Sequence, residues 1–100
     1  MPYRIKYTEA AFQLIPHFPP ELQKLIRDSL KELQSNPSLG KFLKEELAGF
    51  QSLARKRYRI IYKTDHKNKT ISIYFAGHRR EIYELFRKQL QADRESDCNE

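Results

Sequence analysis

The spacing of apolar residues changes period twice along this chain, and this pattern restricts the possible folds more than any other feature. Between Glu21 and Ser35 the apolar residues recur every three or four positions, which is typical of an amphipathic helix. From residue 51 to residue 76 they alternate with other residues, which predicts strands, and after Gly77 the helical spacing returns. With a strand at residues 3–7, the predicted order is β-α-α-β-β-β-α.

The first helix of this order is short and its inner face is small. Thr8 is a suitable cap, and Ala11, Phe12 and Ile15 fall on one side of the helix that follows. Residues 41–49 are expected to be irregular or to form a single helical turn. Residues 65–69 are polar and predict a hairpin turn between two strands.

This element order predicts an α+β fold. We expect a helical hairpin and the C-terminal helix to pack on one face of a small, mostly antiparallel sheet of three or four strands. The other sheet face would then be open to solvent. Arg59 and Lys63 belong on that open face, because burying both cations without a partner would be costly.

Length and composition exclude several classes of protein. The 100 residues correspond to one domain, placed at residues 1–92, followed by a polar C-terminal tail at residues 93–100. No apolar run approaches the eighteen residues of a membrane span, and the first residues do not have the pattern of a secretory signal. The single cysteine, Cys98, has no partner for a disulfide within the chain, which fits a cytoplasmic location.

The same composition argues against a bound metal or cofactor. The three histidines are scattered and lack the spacing of metal ligands. Three glycines are too few for a phosphate-binding loop or a dinucleotide-binding fingerprint. We therefore expect no cofactor and no metal.

Positive charge is concentrated in one third of the chain. The formal net charge is +6, yet residues 50–80 contain nine basic residues and one acid, which gives +8 for that segment alone. The remaining residues contain ten bases and twelve acids. Such a cluster attracts polyanions, so nucleic acid or an acidic protein is the expected partner, with a solubilising surface as the alternative.

Several short motifs in fixed order resemble the RelE/ParE toxin superfamily. They are the Asn-Pro-x-x-Gly turn at residues 36–40, Leu-Ala-Gly at 47–49, Tyr-Arg-Ile-Ile-Tyr at 58–62 and Gly-His-Arg-Arg-Glu-Ile-Tyr at 77–83. The resemblance extends over about residues 3 to 88 in matching element order. It implies a RelE-like toxin domain and an antitoxin partner, a small and partly disordered chain that folds on binding.

The resemblance also implies an activity. Toxins of the RelE branch are endoribonucleases that cut mRNA in the ribosomal A site without a metal, by attack of the ribose 2′-hydroxyl on the adjacent phosphate to give a 2′,3′-cyclic phosphate. An mRNA interferase of this kind would contact both mRNA and ribosomal RNA. The alternatives are a ParE-like toxin that inhibits DNA gyrase without nuclease activity, and a catalytically weak relative that acts with its antitoxin as a co-repressor.

Site residues follow from the positions that match the family. Arg59 and Arg79 would stabilise negative charge on the scissile phosphate, and Tyr83 would lie near the substrate base or leaving group. Lys56, Arg55 and Arg57 lie where the nucleases carry further basic residues, and Lys56, between two arginines, is a candidate general base. His78 is an alternative acid or base. The clean pair of alternating lysines found on the preceding strand of the nucleases is missing here. The predicted RNA-binding residues are Arg55, Arg57, Lys63, His78 and Arg80.

Overall fold

The described part of the chain contains three helices and five strands. The computed structural model describes the backbone of residues 3–98 and the side chains as far as Gln91. The elements are β1 (Arg4–Tyr7), α1 (Glu9–Leu14), α2 (Pro20–Ser35), β2 (Lys41–Phe42), β3 (Gln51–Arg55), β4 (Tyr58–Asp65), β5 (Thr70–His78) and α3 (Ile82–Cys98), with 3₁₀ turns at Ile15–His17, Pro37–Leu39 and Glu45–Leu47.

The sheet is mixed but mostly antiparallel. Its strand order is β1-β5-β4-β3-β2, and only β1, which pairs with β5, is parallel to its neighbour. The predicted α+β class is confirmed, and the element order is confirmed apart from one strand that was not predicted. The fifth strand is β2, a two-residue edge strand in the segment expected to be irregular. The helical turn predicted in that segment is also present, at Glu45–Leu47.

The first core lies between the sheet and the pair of helices α1 and α2. The apolar stripe of α2 points inward, with Leu22, Ile26, Leu30 and Leu33 buried. The sheet contributes residues from its three central strands to the same core: Leu53, Ile60, Tyr62, Ile71, Ile73 and Ala76. This half of the fold agrees with the sequence prediction.

Helix α3 packs on the opposite face of the sheet, which corrects the prediction that all three helices share one face. Ile60 belongs to the first core, whereas Ile61 joins a second core with Ile82 and Phe86 of α3. Successive strand residues point to opposite faces, so these two cores lie on the two sides of the sheet. The physical reason is that Ile60 and Ile61 are adjacent apolar residues, and both faces therefore have a hydrophobic side chain to cover.

A β-bulge adapts β5 to this second core. Ile61 pairs with Phe75 and Tyr62 pairs with Ile73, so Tyr74 is the extra residue on β5. As a result Phe75 joins the second core although Ile73, two residues earlier, lies in the first. The rings of Phe75 and Tyr74 both pack near Phe86 of α3, at centroid distances of 5.9 and 6.4 Å.

Helix α3 extends into the segment that was predicted to be a polar tail. The helical backbone continues to Cys98, into the segment expected to be a tail. The last two residues of that segment, 99 and 100, lie outside the described residues.

Candidate nucleic-acid interface

Arg59 lies on the α3 side of the sheet, where it is flanked by small residues. It pairs with Ala54 on β3 and with Gly77 on β5, and paired residues of neighbouring strands share a face. Gly77 has no side chain, and a Cβ there would lie 3.2 Å from Ile82 Cδ1, so the glycine allows α3 to begin close to the sheet. The Arg59 side chain is half-buried and has no ion-pair partner among the described side chains.

Tyr83 and Ser52 complete the surroundings of Arg59. The Arg59 guanidinium carbon lies 5.8 Å from the centroid of the Tyr83 ring, which is a cation–π distance. The Ser52 hydroxyl accepts from Arg59 Nη1 at 3.5 Å and from the Tyr83 hydroxyl at 3.2 Å. Ser52 is only 2% exposed, so this bridging hydroxyl is held in place by β3. We call Arg59, Tyr83 and Ser52 the arginine cluster.

Ser52 was missed by the sequence analysis. Its alternation with Leu53 indicated that it faces away from the first core, but many serines meet that description. The register of β3 against β4, with Ser52 opposite Ile61, is what brings it to Arg59, and no short motif specifies that register.

Two basic loops meet at the same end of the sheet. The backbone N–H of Arg79, just after β5, donates to the carbonyl of Arg57 in the β3–β4 turn at 2.7 Å. The side chains of Arg57, Arg79 and Arg80 are exposed. This hydrogen bond therefore holds three predicted site arginines next to one another with their guanidinium groups available to solvent.

The other predicted site residues at this end of the sheet lie on the face that α2 covers. Arg55 forms an ion pair with Glu32 of α2. Lys56, in the left-handed region with φ 54°, lines a depression of about 180 Å³ with Tyr58 and residues of α2. His78 pairs with Tyr58, their rings 5.8 Å apart, and its Nδ1 accepts from the Arg80 backbone N–H at 3.2 Å. The structure thus does not bring these three side chains to the arginine cluster.

Lys63 lies farther along β4 on the same face as Arg59. Its ammonium group is 4.6 Å from the centroid of the Phe50 ring, so its stem covers part of the second core while the charge stays exposed. Lys63 is four residue steps from Arg59 along the strand, a distance of about 13 Å. The intervening position is Ile61, which is covered by α3.

Among the described residues no three His, Cys, Asp or Glu side chains gather as a metal site. Within the same part of the chain, no helix combines the length and apolar character needed to cross a membrane.

The chain matches a known family over most of its length. The profile of the family described as ParE toxin of type II toxin–antitoxin systems, parDE, matches residues 3–83. The chain belongs to this toxin family. Toxin RelG from Mycobacterium tuberculosis is 34% identical over 85 residues, which covers 83% of this chain and 98% of RelG. The RelE/ParE resemblance noted in the sequence is thereby confirmed.

Solved structures agree with the ParE-family assignment. The toxin–antitoxin complex RelBE2 from M. tuberculosis contains a chain with a TM-score of 0.74 and 31% identity, matched over 79% of this toxin and 100% of that chain. A mutant of the E. coli toxin RelE in its free state matches with a TM-score of 0.71 over 89% of this toxin and 98% of RelE. At 15% identity, the latter comparison confirms the fold alone.

Proposed function

We propose that this toxin is a metal-independent endoribonuclease that cleaves mRNA in the ribosomal A site and so inhibits translation in the cytoplasm. The observation that carries the proposal is the arginine cluster. Arg59 has no carboxylate partner among the described side chains, yet Ser52 and Tyr83 position it. An arginine held at an accessible surface and left unpaired is suited to bind a phosphate with two parallel hydrogen bonds.

The chemistry assigned to this site is transesterification within the RNA. The 2′-hydroxyl loses its proton to a base as its oxygen bonds to the adjacent phosphorus. The bond from phosphorus to the 5′-oxygen breaks, and that oxygen takes up a proton, giving a 2′,3′-cyclic phosphate and a 5′-hydroxyl end. Arg59 and Arg79 stabilise the extra negative charge of the pentacoordinate phosphate. Tyr83 packs near the base or leaving group, and Ser52 positions both neighbours. Lys56 and His78, the two candidates for general base, lie on the α2 side, so the proposal rests on the charges of Arg59 and Arg79 and not on either candidate.

Substitution of Arg59 tests the proposal. Arg59→Ala is expected to lower ribosome-dependent cleavage by about 10²–10³-fold, because fixed charge at the transition state is lost. Arg59→Lys keeps the charge but loses the planar fork, so we expect an intermediate loss. The measurement is primer extension on mRNA from translating ribosomes, with ribosome-free RNA alongside. Arg79→Ala should behave like Arg59→Ala.

The matched control for this assay is Arg27→Ala, because Arg27 lies on the exposed face of α2 with no ion pair among the described side chains. It should leave the cleavage pattern unchanged. Equal cleavage by wild type and Arg59→Ala, with both proteins folded by circular dichroism, would disprove the nuclease assignment.

Gyrase inhibition is the second candidate function. Two observations favour it: the matching family profile is that of ParE, and Lys56 and His78 lie on the α2 side rather than beside Arg59. In this case the wild-type protein should produce no mRNA cuts but should block supercoiling of relaxed plasmid by purified gyrase. The basic loops would then be a contact surface.

We also propose an antitoxin partner, supported by the relative that was solved as the toxin–antitoxin complex RelBE2. Charge complementarity favours an acidic segment that covers the arginine cluster and the two basic loops. Addition of the cognate antitoxin to the primer-extension assay should abolish cleavage. An antitoxin that binds without inhibiting would place its contact elsewhere.

A further inference from the structure

A second basic surface lies on the sheet beyond the end of α3. Lys6 on β1 and Lys63 on β4 each pair with Ser72 of β5, in one row across three strands. Arg4 lies two residues before Lys6 on the same face, opposite Thr70. We call Arg4, Lys6, Lys63 and Ser72 the basic strand face. The three cations are exposed, about 7 Å apart along β1 and about 10 Å apart across the sheet.

Positive charge exceeds negative charge on the basic strand face and beside it. Neither Arg4 nor Lys6 forms an ion pair with any of the described side chains. One acid, Asp65, lies beside them, and its carboxylate is oriented by three hydrogen bonds, from the backbone N–H groups of Lys67 and Asn68 and from the Asn68 side chain. Three cations and one carboxylate leave a net positive charge on this part of the sheet. A polar depression of about 320 Å³ lies between β1 and the β4–β5 hairpin, and its lining includes Arg4, Lys6, Ser72 and the carboxylate of Asp65.

We infer that the basic strand face binds the phosphate backbone of double-helical RNA, at a site separate from the arginine cluster. This inference rests on the proposed function in one respect, the choice of RNA rather than another polyanion as the ligand. Its effect is to add affinity for a folded RNA without taking part in cleavage. Lys63, about 13 Å along β4 from Arg59, connects the two sites.

The composition of the basic strand face distinguishes a nucleic acid from a protein partner. Protein interfaces depend on buried aromatic and aliphatic anchors, whereas nucleic-acid interfaces are polar and strongly positive. The exposed apolar side chains nearest in sequence, Tyr7 and Phe12, are not part of this face: Tyr7 pairs with Ile73, on the α1 and α2 side, and Phe12 lies on α1. Cations and a hydroxyl therefore make up this face.

The same composition distinguishes a double helix from a single strand. Proteins that bind single strands stack bases on exposed aromatic rings, and the basic strand face offers none among its four residues. Double-helical RNA is recognised through its phosphates and 2′-hydroxyl groups, which cations and a serine hydroxyl can bind without stacking.

The test is binding of the full chain to a fluorescein-labelled RNA duplex of 20 base pairs and mixed sequence, followed by anisotropy between 50 and 200 mM KCl. We expect Arg4→Gln/Lys6→Gln to weaken binding about tenfold at 100 mM and to lower the slope of log affinity against log salt by about two. Lys24→Gln/Lys31→Gln removes the same charge from the exposed face of α2 and should change the slope by less than about half a unit. If the double variant does not fold, the single variants Arg4→Gln and Lys6→Gln replace it, and each should lower the salt slope by about one.

Three results would overturn the inference: no binding of the duplex by wild type, equal losses in the two double variants, or equally tight binding of a labelled polyglutamate peptide that also depends on Arg4 and Lys6. The last result would assign the face to an acidic protein. The assay involves no cleavage. Duplex binding without mRNA cuts would therefore reject the nuclease proposal and keep this one. Cuts in mRNA without duplex binding would reject this inference and keep the nuclease proposal.

Discussion

At the scale of single residues, the buried hydroxyl of Tyr62 anchors the turn at residues 36–40 to the sheet. It donates to the carbonyl of Pro37 at 2.7 Å and accepts from the backbone N–H of Gly40 at 2.8 Å. Burial raises the pKa of Tyr62, although the Gly40 bond opposes the rise. Gly40 is required by contact rather than by backbone angle, because a Cβ there would collide with the Tyr62 ring and hydroxyl.

Tyr62→Phe should therefore destabilise the protein. The change leaves the buried backbone N–H of Gly40 without its partner, which costs about 1–3 kcal/mol if that group stays dry. The Pro37 carbonyl also loses a bond but still accepts from Gln51 Nε2. Urea unfolding followed by circular dichroism measures the free energy of unfolding. Tyr58→Phe is the control, because the half-buried Tyr58 hydroxyl forms no hydrogen bond with the described residues, and it should cost much less. Equal costs would show that the Tyr62 hydroxyl contributes nothing specific.

At the scale of elements, the β4–β5 hairpin is closed by a single carboxylate. Asp65 accepts from the side chain and the backbone N–H of Asn68 and from the backbone N–H of Lys67. The side-chain bond from Asn68, followed by its backbone bond, lowers the pKa of Asp65 below its usual value of 3.8. The hairpin places Lys63 and Ser72 opposite each other, so this turn also supports the basic strand face.

The turn predicts a pH dependence with a definite sign. Because the pKa of Asp65 is lower in the folded than in the unfolded protein, its stabilising effect is complete above the unfolded value and is lost as the pH falls through the folded value. The stability difference between wild type and Asp65→Asn should therefore shrink from pH 6 to pH 3 in urea unfolding. Asp28→Asn, at an exposed position on α2 without an ion pair among the described side chains, should show no comparable trend. A constant difference for Asp65→Asn would contradict the assignment.

At the scale of the whole molecule, two cores on opposite faces of one sheet determine where the candidate site lies. The first core holds α1 and α2, and the second attaches α3. Phe86 is central to the second, with 1% of its surface exposed and its ring 5.0 Å from that of Phe50. Tyr83 lies one helical turn before Phe86, so the packing of α3 also positions the tyrosine of the arginine cluster.

Phe86→Ala should therefore affect both stability and activity. Loss of a buried phenylalanine costs about 3–5 kcal/mol, a large part of the roughly 5–15 kcal/mol that stabilises a domain of this size. Urea unfolding measures this cost, and primer extension at a temperature where the variant is folded should show reduced cleavage. Leu85→Ala is the control on the same helix, since Leu85 is 42% exposed. Similar costs for both variants would contradict the second core.

Local pattern predicted the elements well where one face of an element is clearly apolar. The stripe of α2 from Leu22 to Leu33 is buried as expected. Phe12 was expected on the inner face of α1 but is 68% exposed, because Ala11 occupies the buried position of this six-residue helix. The two-residue strand β2 depends on pairing with Gln51 and Ser52 of β3, so its own residues have no strand signal.

The sequence alone determined the element order apart from β2, the concentration of positive charge in residues 50–80 and the motifs of the toxin family, because each of these depends on neighbouring residues. Only the tertiary structure decided which face α3 covers and which cations share a surface. Because Ile60 and Ile61 are adjacent, the strand has apolar side chains on both faces of the sheet. The sequence pattern therefore does not specify which helix covers which face. The register of β3 on β4 brings Ser52 to Arg59, and the packing of α3 brings Tyr83 there. Lys56 stays on the α2 side. Pairings between distant strands depend on the packing of the whole chain.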